Sequence, residues 1–143
     1  MIDVNSSVLQ AYYEVIDGLD IPCYEGEEPD NVLDKIYVVI SDAISKETST
    51  DNTSDVQLTI QLSIHSWENK YNNSKQLNII AGQIISAIKP TSTSVLDLSA
   101  YDLQMLNLSI QTDRTDRLGE ISGRVYITRN LIFKQDIFMK QTP

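Results

Sequence analysis

Over residues 56–88 the spacing of hydrophobic positions changes once, from every second residue to helical spacing, and the rest of the chain is arranged around that change. Val56, Leu58, Ile60, Leu62 and Ile64 alternate with Gln57, Thr59, Gln61, Ser63 and His65, the period of a strand with one buried and one wet face. Trp67 closes the run, and residues 68–74 form a polar break. Leu77, Ile80, Ala81, Ile84 and Ile88 then fall on one helical face. An apolar strand face next to an apolar helical stripe predicts one layer packed on the other, so this pair is the expected core.

In chain order, Asn5, Ser6 and Ser7 offer a cap to a helix over about residues 6–18, with Val8, Tyr12, Val15, Ile16 and Leu19 along one stripe. Gly18 and Pro22 end it, and residues 21–24 suit a short edge strand that tolerates proline. Residues 25–30 are acidic and turn-rich. Residues 35–42 carry Ile36, Tyr37, Val38, Val39 and Ile40, a β-branched run that predicts a more fully buried strand. Residues 45–55 turn polar and predict a mobile hairpin tip. Pro90 stops the second helix. Leu106, Leu108 and Ile110 predict a further strand, residues 112–119 a turn, and Ile121, Val125 and Ile127 another strand with a bulge at Gly123. Residues 131–138 continue that strand or form a separate one.

This order of elements predicts a single α+β domain over residues 1–143. It has two layers: a mostly antiparallel sheet of about five strands, and two helices packed on one of its faces. His65, Trp67, Gln57, Arg124 and Tyr126 are expected on the uncovered face, which must meet solvent or a partner.

Composition narrows the function classes. With 143 residues the chain can build its own core, and with Cys23 as its single cysteine it has no internal disulfide and no cysteine-built zinc site. A reducing compartment suits it. Eleven Lys and Arg against 20 Asp and Glu give a net charge of −9, unlike a surface that grips phosphates. Apolar runs fall short of the roughly 18–20 residues of a membrane span, and no basic, apolar leader opens the chain. A soluble, unsecreted protein without a membrane partner is expected.

Candidate chemistry is sparse. Phosphate-loop, dinucleotide, Gly-x-Ser-x-Gly and His-Glu-x-x-His patterns are absent from the sequence. His65 is the sole histidine. Ser63 and Ser66 stand beside it, but neighbouring strand positions point to opposite faces, so a surface strand residue outweighs a nucleophile–base pair. Cys23 follows Pro22 without a flanking cation and reads as a small hydrophobe. Glu25, Glu27, Glu28 and Asp30 match no calcium loop. Asp113, Asp116 and Glu120 could supply a glycosidase pair, but interleaved Arg114 and Arg117 favour a self-neutralised turn. Trp67 suits a core cap or an interface anchor better than a sugar platform. No catalytic, cofactor-binding or metal-binding residue is assigned.

The strand ending Ile60-Gln61-Leu62-Ser63-Ile64-His65-Ser66-Trp67, the polar break, and the helix through Ile79-Ile80-Ala81-Gly82-Gln83-Ile84-Ile85-Ser86-Ala87-Ile88 together resemble tail-completion and tail-terminator proteins of tailed bacteriophages. The opening helix, the segment Ile21-Pro22-Cys23-Tyr24, the strand Ile36-Tyr37-Val38-Val39-Ile40 and the closing strands extend the likeness over nearly the full length. The chain departs from that family at Lys35, where a proline is common, and at Asn72 and Asn73, where a glycine is common.

The resemblance implies a structural virion protein of the neck and tail, assembled in the host cytoplasm, without enzymatic activity. It would form a homo-oligomeric, often hexameric ring that caps the tail tube protein and joins it to the head-completion or connector protein. DNA would pass through the lumen without specific binding, repelled by the acidic ring. Loops over 45–55 and 112–119 would reach the neighbours, placing Glu47, Thr50, Asp51, Arg114 and Arg117 at the interface with Trp67. A monomeric, non-catalytic binding or regulatory module is the alternative.

Overall fold

The computed structural model describes residues 4–25, 36–50, 53–69, 75–121 and 123–139, with side chains over 6–25, 36–41, 56–67, 75–120 and 123–138. Strand β3 (Thr53–Asn69) occupies the middle of a five-stranded sheet. It is flanked by β2 (Tyr37–Thr50) and β5 (Arg124–Met139). β1 (Cys23–Glu25) lies outside β2 and β4 (Leu103–Ile121) outside β5, giving the order β1-β2-β3-β5-β4. Only β1–β2 is parallel. The helices are α1 (Val4–Asp17) and α2 (Lys75–Ile88). The expected α+β class and element order are found.

Val56, Leu58, Ile60, Leu62 and Ile64 are all buried, as their alternation requires. Register sets them beside Val38 and Ile40 of β2 and Leu131, Phe133 and Ile137 of β5. Val8, Ala11, Tyr12 and Ile16 of α1 and Leu77, Ala81, Ile84 and Ile88 of α2 join the same cluster, so both helices cover one face of the sheet. Gln135 falls in phase with Leu131, Phe133 and Ile137 and is fully buried. Its amide is satisfied: Oε1 accepts from the Tyr12 hydroxyl at 2.5 Å, and Nε2 donates to the Leu58 carbonyl at 2.5 Å.

Two expected loops are strands. The β2–β3 ladder runs without loss from Lys46↔Gln57 to Thr50↔Thr53, so the hairpin is extended almost to its tip. Residues 112–119 pair with β5 from Thr112↔Ile132 to Gly119↔Tyr126. In both places the paired strand supplies backbone hydrogen bonds whatever the side chains are, and Ser and Thr sit comfortably on a pleated surface. The ladder continues to Ile121↔Arg124, so only a tight hairpin turn is left beyond it. Gly123 belongs to this turn, not to a bulge, and its φ of 78° explains the glycine.

Bulges occur instead along β4, between Met105 and Asn107, Ile110 and Thr112, and Arg117 and Gly119. They reset the side-chain phase. Leu103, Met105 and Leu108 are buried, while Leu106 and Ile110, expected inward, are 48% and 36% exposed. Residues 131–138 are the continuation of β5.

Candidate interaction surface

The sheet face away from the helices carries the odd positions of β3 and the even positions of β5. Because Tyr37 pairs with His65, His65 with Thr128 and Trp67 with Tyr126, aromatic side chains from separate strands meet at one end of this face. Tyr24 packs edge-on against Tyr37 with centroids 6.1 Å apart, and Tyr37 stacks on His65 at 4.8 Å with planes 2° apart. His65 lies 5.8 Å from Tyr126, which lies 5.1 Å from Trp67. His65 Nδ1 hydrogen-bonds the Tyr126 hydroxyl, which is 3.5 Å from that of Tyr37. The row covers its own members. His65, expected at the surface, is only 7% exposed and Tyr37 6%, because ring packing on neighbouring strands substitutes for a covering layer.

Beyond the rings the face carries Val39, Ile132 and Phe138 together with polar groups that pair with one another. Ser63 Oγ donates to Asn130 Oδ1 at 2.7 Å, Asn130 Nδ2 donates to Asp116 Oδ2 at 3.4 Å, and Arg114 Nε donates to Asp116 Oδ1 at 2.8 Å. Further along, Asp136 accepts from Gln57 at 3.5 Å and from Asn107 at 2.6 Å. On the helix side, Arg129 grips Asp113 with Nε and Nη2 at 2.8 and 2.7 Å and donates from Nη1 to Asn78 of α2 at 3.1 Å. This fork ties α2 to β4 and β5. Hydrogen bonding to Arg129 holds the Asp113 carboxyl below the usual carboxylate range, and the same bond raises Arg129.

The candidate residues are not brought to one place. Trp67 is half-buried in the aromatic row, and Ser66↔Ile127↔Arg117 puts Arg117 at the same end of the sheet, two strands away. Arg114 and Arg117 are exposed. Glu47 and Thr50 lie on β2 at the opposite end, near the β2–β3 tip; Asp51 falls outside the described residues. Glu25 lies on β1, whereas Glu27, Glu28 and Asp30 also fall outside them.

Nor do the carboxylates converge. Asp113 faces the helix side in Arg129's grip, and Asp116 faces the other side with Arg114. Ser63 shares the His65 face but is spent on Asn130, and Ser66 lies on the helix side. Burial, then Glu25 and Asp17, push the Cys23 thiol up to about 12, opposite to what a nucleophile needs. Among the described residues, no group of three or more His, Cys, Asp or Glu could hold a metal ion, and no helix is long and apolar enough to cross a membrane.

His65, Trp67 and Tyr126, expected together on the uncovered sheet face, are found there, but two features had no sequence signal of their own: the stacking of these rings with Tyr37 and Tyr24 from separate strands, and a groove beside α1. The groove, of about 330 Å³, is lined by Ala11, Glu14 and Val15 of α1 and by Leu96, Asp97, Ala100 and Tyr101 around a 3-10 turn (Ser99–Tyr101). The edges of the sheet are open too. β4 has no outer partner among the described strands, and β1 covers only Val38, Val39 and Ile40 of β2. The three bulges of β4 interrupt that edge and disfavour simple strand addition.

No protein-family model matches the sequence, and no curated protein matches it. Among solved structures, the chain is similar to one in the virion of a native gene transfer agent particle, with a TM-score of 0.66 and 13% identity over 95% of this chain and 98% of that chain. At that identity the likeness is one of fold, and it runs from end to end.

Proposed function

We propose that the chain is a structural protein of a phage-like virion, and more narrowly a tail-terminator-type subunit of the neck. It would form a ring, hexameric in the simplest case, that caps the tail tube and joins it to the head connector. The observation that carries this reading is the end-to-end likeness of fold to a chain of a gene transfer agent virion. The shape of the molecule supports it. Polar groups on the uncovered sheet face bond to one another, which suits docking better than turnover. Two long hairpins point to opposite ends of the sheet, so one subunit can reach partners on two sides. A net charge of −9 would let DNA pass through a lumen without adhering.

Removing the chain from a particle-producing strain tests the reading. Electron micrographs are expected to show tails of uncontrolled length or tails detached from heads. Normal particles would overturn the neck assignment. Native mass measurement of the chain, alone and with tail tube protein, should give a ring in at least one condition. A single chain in both would favour a monomeric binding module.

A further inference from the structure

We infer that Leu118 and Arg117 of one copy dock into the groove between α1 and the 3-10 turn of the next copy, joining subunits head to tail; this rests on the ring reading above. Leu118 is left out of the β4–β5 register between Arg117 and Gly119, and at 58% it is the most exposed large hydrophobic among the described residues. Bulges of this kind re-aim a side chain out of the ladder. Apart from its chain neighbours, nothing lies within 4 Å of the position a Cβ would take at Gly119, so the bulge has open space on the Gly119 side as well. Arg114 and Arg129 are engaged by Asp116 and Asp113, whereas Arg117 is exposed and makes no ion pair among the described residues. The tip therefore offers one apolar knob beside one uncommitted cation.

The groove is its complement. Ala11, Val15, Leu96 and Ala100 give it apolar walls, and Glu14 and Asp97 put two exposed carboxylates on its rim. An apolar knob with a cation fits an apolar cleft with anions, and such pairing selects a partner as much as it strengthens binding. Copies that each carry −9 repel one another unless a local pair of opposite sign brings them together.

The second copy is the occupant because one chain carries both halves and cannot join them itself. The groove precedes Leu103, which pairs with Met139, whereas Arg117 pairs with Ile127. Twelve rises along β5 separate those points, about 40 Å. A contact between two different patches of identical chains is heterologous, and it closes into a ring when its rotation divides the circle.

Cross-linking between copies tests this. In a Cys23→Ala background, chains with Leu118→Cys are mixed with chains carrying Ala100→Cys, assembled on tail tube protein and oxidised. A disulfide-linked dimer should form in the mixture and in neither variant alone, since bridging needs Cα atoms within about 7 Å. Arg117→Glu should raise the concentration needed for assembly at least tenfold, and Glu14→Arg in the same chain should recover much of that loss. Both residues are exposed, and Glu14 gives up only two surface hydrogen bonds of 3.3 Å, from Gln10 and Tyr101, so melting temperatures should stay close to the wild-type value.

Wild-type assembly without the cross-link, together with an indifferent Arg117→Glu, would overturn the docking and leave the ring intact. A cross-link from Leu118→Cys to tail tube protein would also overturn it. A wild-type chain that stays single on the tube and is missing from particles would overturn the ring reading, and the docking with it.

Discussion

Tyr12→Phe removes a single oxygen, yet it should cost the fold about 1–3 kcal/mol, the range for leaving a buried polar group unpaired. Tyr12 and Gln135 are both 0% exposed, and the hydroxyl is 2.5 Å from the Gln135 carbonyl oxygen. Burial drives the phenol well above its usual pKa, so it stays a donor at every working pH. The aromatic packing on Phe133, with centroids 5.7 Å apart, survives the change, so the loss isolates the hydrogen bond. For a chain of this length, about 2–4 °C per kcal/mol translates the cost into a melting temperature lowered by roughly 2–12 °C.

Gln135→Leu should be destabilising for the reciprocal reason, because it strands the tyrosine hydroxyl. The double variant should be no worse than the poorer single one, with a coupling of about 1–2 kcal/mol, since removing both partners leaves no stranded hydroxyl, although the Leu58 carbonyl still loses its Gln135 donor. Urea titrations at constant m value, checked by calorimetry, would measure all corners of the cycle. Effects that add to within about 0.5 kcal/mol would refute the bond as the link between α1 and the sheet. The consequence reaches the docking groove, because Ala11, Glu14 and Val15 of the same helix form its wall.

Three further outcomes are expected. Asp113→Asn should cost about 0.2–1 kcal/mol at pH 7, a modest figure because the Asp113 side chain is 38% exposed and screened. Since Arg129 depresses the Asp113 pKa, this contribution is present above the unfolded value of about 3.9 and is lost as pH falls through the lower folded value. Denaturation curves of the wild type and variant should therefore converge in acid, and an equal gap at pH 7 and pH 2 would contradict the assignment. Cys23, with its thiol pushed up to about 12, should alkylate at pH 8 roughly a thousandfold more slowly in the folded chain than in urea. Equal rates measured by mass spectrometry would show that the thiol is not shielded. Replacing residues 47–54 with a short Gly-Ser turn should cost on the order of 1 kcal/mol, since the described buried core of β3 begins at Val56. Particle assembly should fail nonetheless, and normal virions would mean that the β2–β3 arm is idle.

The alternation over residues 56–65 and the helical stripe over 77–88 were legible because each records which faces of one element meet water, a property that a short segment carries by itself. The same holds for Val8, Tyr12 and Ile16 on α1, and the order of elements and the two-layer class follow from them. Residues 45–50 and 112–119 have the composition of loops but are strands, because the ladder that holds them depends on the strand alongside. Leu106, Leu108 and Ile110 announce a strand correctly, yet the bulges decide which of them is buried, and bulges arise from the fit of β4 to β5.

Gln135 looks like a polar interruption of an apolar run, and only a tyrosine 123 residues away makes it a core residue. The candidate surfaces are of this second kind. The aromatic row joins positions 24, 37, 65, 67 and 126, and the groove joins positions 11–15 with 96–101. Hydrophobic period is a free-energy preference of one segment for an interface. Register, bulge phase and the meeting of distant side chains are preferences of pairs, which exist only once the chain has brought both members together.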